Sequence, residues 1–147
     1  MQLTREESKI YERALIRAKD YLSAEAAMLD SIMEIDRTKL YKRFGEEFLT
    51  PFCVKHFRIS EEVAATFVRV ARKSVIVPEL KTAVETGQLD ITKAKTIASV
   101  VTPDNVQMWT EKAASLSKAK LEYEVVKENP KSVKGEKASL WAKIVFV

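Results

Sequence analysis

Helix start signals recur along almost the whole of this 147-residue chain. Thr4-Arg5-Glu6-Glu7 has the form of a capping box, in which the threonine oxygen accepts a backbone N–H and the glutamate reaches back. Further start signals are a polar cap or a proline at the first turn, found at Ser23, Pro51, Ser60, Pro78, Pro103 and Ser117. Because the chain has only 3 Gly and 4 Pro residues, a turn-rich β-sandwich is disfavoured, and we expect an all-α, multi-helix bundle.

The first 45 residues predict a helical hairpin. Apolar residues from Leu3 to Tyr21 recur at helical spacing, which indicates one helix over residues 5–22. Ser23 can cap a second helix, whose apolar stripe ends just before Gly45, a residue suited to a left-handed C-terminal cap. Both helices are amphipathic and carry charges of both signs, so we expect the hairpin 1–45 to pack on the rest of the chain or to serve dimerisation.

The C-terminal end of the sequence differs from the rest. Residues 131–137 are polar and linker-like, and residues 138–147 are β-branched and aromatic with partial alternation, which is typical of a strand. A single strand leaves its backbone groups unpaired, so we expect it to begin a further domain or to pair with a partner chain. The predicted division is therefore a hairpin over 1–45, a bundle over 46–130, and a linker with a strand over 131–147.

Side chains for metal binding or nucleophilic catalysis are scarce. Cys53 is the single cysteine and His56 the single histidine, which excludes an internal disulfide and nearly every multi-histidine metal site. We interpret Cys53, Trp109 and Trp141 as core residues and His56 as a partly exposed helix residue without special chemistry. We expect no catalytic residue, no metal and no cofactor, and neither a signal peptide nor a membrane span, hence a cytoplasmic protein.

The positive charge is concentrated after residue 47. The net charge is +4 overall, and residues 48–97 carry 8 basic and 5 acidic side chains, whereas residues 1–47 carry 9 and 10. A basic middle section is compatible with an anionic partner, of which nucleic acid is the first candidate, although a mixed surface would have the same composition.

Residues 48–74 predict two short helices joined by a tight turn, with Ser60 as the cap of the second. A helix-turn-helix needs a small residue in the first helix, a permissive residue four positions later, and an inward apolar residue ten positions after the first. These positions hold Val54, Arg58 and Ala64. The spacing fits, but Val54 is large, and a left-handed conformation at Arg58 in place of glycine would cost on the order of 1 kcal/mol.

A longer string carries a family resemblance. Its residues are Gly45, Phe52-Cys53, Lys55, Ser60, Ala64, Arg69 and Ala71-Arg72-Lys73, followed in residues 77–105 by Pro-Glu-Leu, Gly-x-Leu, Lys-Ala-Lys and Thr-Pro-x-Asn elements. This string is similar to the N-terminal helical domain of HNH-endonuclease-like proteins of bacteria, over about residues 24–130. The middle of the chain also resembles the helix-turn-helix region of chromosome-partition DNA-binding proteins.

The resemblance implies a DNA-associated module and no catalytic centre in this chain. In such proteins a β-containing segment and a nuclease domain follow the helical part, so the strand at 138–147 fits a chain cut just after that part. An HNH centre needs a histidine base, a polarising asparagine and further metal ligands. Here His56 is accompanied only by Asn105 and Asn129, in predicted helix-terminal regions.

Seven residues are the candidate contacts to nucleic acid: Lys55, Arg58, Ser60, Thr66, Arg69, Arg72 and Lys73. The three last share one helix face at i, i+3 and i+4 and could reach phosphates together; the alternative is an ordinary solvated face. Ser60 would cap the second helix, and Thr66 would reach a base edge or a phosphate.

Two acidic residues limit this hypothesis. Glu61 and Glu62 stand at the start of the would-be recognition helix, where they repel phosphate, so we expect weak or non-specific binding to DNA. The alternative function is a helical protein-interaction module with a degenerate helix-turn-helix, which would use residues 5–44 or the strand at 138–147.

Overall fold

Eight α-helices follow one another along residues 1–132, the part of the chain that this computed structural model describes. They are α1 Arg5–Thr38, α2 Leu40–Arg43, α3 Leu49–Phe57, α4 Glu61–Ile76, α5 Pro78–Glu85, α6 Ile91–Ile97, α7 Val106–Ser115 and α8 Lys118–Glu128, with a 3-10 turn at Pro130–Ser132. The predicted all-α bundle is confirmed for these residues. The strand predicted at 138–147, and Trp141 within it, lie outside the described residues.

The first helix is continuous for 34 residues, so the predicted N-terminal hairpin is wrong. The capping box forms as expected: the Glu7 N–H donates to Thr4 Oγ1 at 3.1 Å, and the Thr4 N–H donates to Glu7 Oε1 at 2.9 Å. Ser23 does not interrupt the helix, because neighbours with high helix propensity surround it and no glycine or proline breaks the run. The helix ends instead at Thr38, and the C-cap residue Lys39 is left-handed with a φ of 58°.

Helix α4 is the centre of the bundle and packs against α1, α3, α5 and α6. Its inner face includes Phe67 and Val70, and the C-terminal half of α1 adds Leu29 and Ile32. Cys53 of α3 is fully buried, and this burial raises the pKa of its thiol. Trp109 of α7 is also buried, so the interpretation of Cys53 and Trp109 as core residues is confirmed.

Two long-range contacts fix α1 against the helices after α4. The buried carboxylate of Glu25 accepts a hydrogen bond from the N–H of Ile91, the first residue of α6, at 2.8 Å. Asp30 pairs with Lys81 of α5, and the hydrogen bond that the Lys81 ammonium group donates to the Asp30 carboxylate raises the pKa of Lys81. These contacts join residues 51 to 66 positions apart and so tie α5 and α6 to α1.

Three residues join α3 to α4. Arg58 has a φ of 55° and a ψ of 39°, the left-handed conformation that is costly for a residue with a side chain. Ser60 caps α4, because its hydroxyl oxygen accepts from the Val63 N–H at 3.1 Å. The predicted short helix pair and its cap are therefore present with these bounds.

Candidate nucleic-acid interface

A shallow groove of about 530 Å³ runs between α4 and α6, and four cationic side chains line it. We call it the cationic groove; its basic residues are Arg69, Arg72 and Lys73 of α4 and Lys95 of α6. Its remaining lining residues are small or apolar, with one hydroxyl: Thr50, Ala65, Val68, Ile76 and Ala98. No carboxylate is among the described residues that line it.

The helical repeat of α4 explains the orientation of two of the four cations. Positions 65, 69, 72 and 76 follow one another at steps of three and four, so they form one ridge along the helix. Phe67 and Ala71 lie on the opposite side and are buried in the core. Burial of that apolar side therefore turns Arg69 and Arg72 outward, as the sequence predicts, and both are exposed.

The fourth cation comes from α6 and was missed by the sequence analysis. Lys93 and Lys95 stand two positions apart, with nothing local to distinguish them. In the fold, Lys93 Nζ donates to the carbonyl oxygens of Ala113 and Leu116 at 2.6 and 3.1 Å, at the end of α7. Lys95 points to the other side and lines the groove, half-buried. The Lys-Ala-Lys string indicates two basic residues on α6, but only the packing of α6 decides which of them lines the groove.

Ion pairs reduce the free positive charge around the groove. Arg72 Nε lies 3.4 Å from Oδ2 of Asp36 on α1, whose side chain is 14% exposed and also contacts Lys39 at 3.5 Å. Arg69, Lys73 and Lys95 have no carboxylate partner within residues 1–132. Three of the four cations are therefore unpaired, and one is shared with α1.

The other predicted contacts lie away from the groove. Lys55 is exposed on α3 and pairs with Glu46 at 3.7 Å, and Arg58 is exposed in the turn that precedes α4. The Ser60 hydroxyl has its predicted role as the cap of α4. Thr66 is corrected: it is buried, and its hydroxyl donates to the Glu62 carbonyl at 2.9 Å, because the helix turns this position away from the outer ridge.

A larger cleft of about 710 Å³ adjoins the groove, and its charges are mixed. Arg69 and Lys95 line both spaces, but the cleft is also lined by three carboxylates, those of Glu25, Glu62 and Glu122. The phenol of Tyr21, at its rim, has a raised pKa because it hydrogen-bonds the Glu25 carboxylate. The carboxylates make this cleft less favourable to a polyanion than the neighbouring groove.

His56 lies outside both spaces, on α3. Its ring packs against Phe52 and Phe44, with centroids 4.4 and 5.1 Å apart. Within residues 1–132, no cluster of three or more His, Cys, Asp or Glu side chains is arranged to hold a metal ion. No helix in the described part of the chain is long and apolar enough to span a membrane.

Comparison with known proteins adds no relative: no family model, no curated protein and no solved structure matches this chain. The resemblance to HNH-endonuclease-like proteins therefore stays a prediction from residues 24–130.

Proposed function

We propose that this chain is a DNA-binding module that holds duplex DNA by its phosphates along the cationic groove. The observation that supports this proposal is the convergence of Arg69, Arg72, Lys73 and Lys95, from two helices, on one surface lined by no carboxylate of the described residues. The proposal agrees with the resemblance to HNH-endonuclease-like proteins, in which such a module would position DNA rather than cut it.

Backbone binding suits this surface better than reading of bases. The groove offers guanidinium and ammonium groups, which contact phosphate in any sequence. Apart from the Thr50 hydroxyl, its other lining side chains, such as Ala65, Val68 and Ala98, have no donor or acceptor for a base edge. We therefore expect affinity that depends strongly on salt and little on sequence.

The position of the charges along α4 also favours backbone contact. In our proposal α3, the turn and α4 form a helix-turn-helix, whose second helix would normally read bases with its first residues. Those residues are Glu61 and Glu62, which repel phosphate, whereas Arg69, Arg72 and Lys73 lie further along the helix. DNA would thus lie across the C-terminal half of α4 and α6, with its phosphates facing the groove.

A salt titration tests the proposal. Fluorescence anisotropy with a duplex of random sequence should give a log–log salt slope between about −2.7 and −3.6, for three or four phosphates at 0.9 each. Raising the salt from 50 to 200 mM should then weaken binding by about 40- to 150-fold. Absence of binding at the lowest salt would contradict the proposal.

A pair of lysine variants locates the contact. Lys95→Gln should make the salt slope shallower by about 0.9, because one phosphate contact is lost. Lys120→Gln is the matched control, since Lys120 is exposed on α8 and lines neither the groove nor the cleft. Equal effects of the two substitutions would show that net charge alone, and no defined groove, causes the binding.

A protein-interaction module is the second candidate function. The observation that favours it is a group of exposed large apolar residues on the N-terminal half of α1, among them Ile10, Leu15 and Tyr21. The two functions use different surfaces of the molecule and are compatible with each other.

A further inference from the structure

The N-terminal half of α1 is a helix without a partner in the described part of the chain. Apart from the half-buried Ser8, residues 1–24 are exposed, and the first buried residue of α1 is Glu25. Residues 5–24 therefore extend for about 30 Å at 1.5 Å per residue. Most of the stability of a helix in a protein comes from packing of its apolar face, and residues 5–24 leave that face exposed within residues 1–132.

The exposed half continues the same apolar stripe that the bundle buries. Tyr11, Leu15, Ala18 and Leu22 follow at steps of four, three and four. The same alternation leads on through position 25 to the buried Leu29 and Ile32 of the core. Tyr11 and Leu15 are 56% and 52% exposed, although they occupy the positions that face a partner in a heptad repeat.

We propose that a second copy of this chain covers this stripe, and that the two α1 helices pair as an antiparallel coiled coil over residues 11–22. In the alignment that fits best, Leu15 packs on Ala18 of the other copy, and Tyr11 packs on Leu22. Each of these contacts occurs twice because the pairing is two-fold symmetric.

Charge complementarity selects this alignment. Glu12 and Lys19 flank the stripe on the same side, one heptad apart. In the proposed alignment, Glu12 of each copy faces Lys19 of the other, which gives two attractive pairs. If the antiparallel alignment is shifted by one heptad, Glu12 faces Glu12 of the other copy and Arg5 faces Lys19 of the other copy. If the helices run parallel, Glu12 of one copy faces Glu7 of the other. Both alternatives bring like charges together.

Charge reversal tests the proposal on the full chain, by sedimentation equilibrium over a range of concentrations. The wild type should form dimers. Glu12→Lys and Lys19→Glu should each weaken the dimer about tenfold, because two attractive pairs become repulsive. The double variant should return to the wild-type affinity, and an equimolar mixture of the two single variants should form a heterodimer. Both residues are exposed, so helix content by circular dichroism should show that the bundle stays folded.

Arg13→Glu is the matched control for Lys19→Glu. It makes the same change of charge, but on the outer face of α1, and should leave the affinity of the dimer unchanged.

Three outcomes would contradict the proposal or its geometry. A stronger dimer on Glu12→Lys would overturn the antiparallel geometry in favour of a parallel one. A monomer at every concentration would overturn the proposal and leave residues 133–147 or another protein as the occupant. Equal weakening by Arg13→Glu would overturn the assigned seam. Lys95→Gln should not affect dimerisation, so failure here is separable from failure of DNA binding.

Discussion

If the cationic groove binds DNA as proposed, Asp36 would compete with phosphate for Arg72, and removal of its charge should strengthen DNA binding. The guanidinium Nε and Nη2 atoms of Arg72 lie 3.4 and 3.5 Å from the two carboxylate oxygens of Asp36. Asp36 belongs to α1 and does not line the cationic groove, but its negative charge stands beside one of the four cations there. Asp36→Asn keeps the shape of the side chain and removes this charge.

The expected size follows from the geometry of the pair. Arg72 is 55% exposed, so its bond to Asp36 is screened by solvent and contributes about 0.2–1 kcal/mol. A phosphate that binds Arg72 must displace this partner, and Asp36→Asn should therefore tighten DNA binding by about 1.4- to 5-fold. If the Arg72–Asp36 pair persists when the wild-type protein binds DNA, Asp36→Asn should steepen the salt slope from about −2.7 to about −3.6, because Arg72 then contacts one additional phosphate.

The assay is the same anisotropy titration, and α1 offers a matched control. Asp30→Asn removes one negative charge from the same helix and breaks an ion pair of similar kind, but its partner Lys81 lies on α5, outside the groove. Only Asp36→Asn should tighten binding by this amount, and only Asp36→Asn should steepen the salt slope if the pair persists in the wild-type complex. If both variants tighten binding equally, or if Asp36→Asn changes neither affinity nor slope, then Arg72 does not contact phosphate and the reasoning is refuted.

Two further predictions concern stability, measured by urea denaturation. Arg58→Gly should raise the free energy of unfolding by about 0.5–1 kcal/mol, because the relief of left-handed strain at φ 55° exceeds the cost of the added entropy of the unfolded chain. Arg58→Ala keeps a side chain at this position and should not stabilise the protein. Equal stabilisation by the two substitutions would contradict the assignment of strain to Arg58. Glu25→Ala should destabilise the protein by about 1.5–3 kcal/mol, since the Ile91 N–H loses its charged acceptor. The same substitution should lower the raised pKa of Tyr21, because the phenol loses the carboxylate that it hydrogen-bonds. An unchanged free energy of unfolding would show that α6 does not depend on the bond between Glu25 and Ile91.

Local features of the fold were predictable from the sequence. The capping box at Thr4, the cap at Ser60 and the common face of Arg69 and Arg72 all depend on residues within one or two turns of a helix. The continuous α1 was not predictable from Ser23, because serine serves as a cap residue and is also tolerated inside a helix; the surrounding residues decide between the two.

The candidate site was predictable only in part. The sequence placed three cations on one face of α4, but Lys95 joins them across 22 positions or more, and Asp36 reaches Arg72 across 36 positions. Neither contact has a local signature. The outward interpretation of Thr66 failed for a similar reason, because the width of the buried face of α4 is set by the helices around it.

The amino-acid sequence by itself therefore determined the all-α character of residues 1–132, the positions of the main caps and the basic ridge on α4, since these follow from backbone hydrogen bonding and helical periodicity over a few residues. Only the tertiary structure decided which lysine of α6 faces that ridge and which carboxylate of α1 restrains it. It also decided where along α1 the apolar stripe leaves the bundle. The physical reason is that helix packing brings together side chains far apart in the chain, and no local pattern encodes that distance.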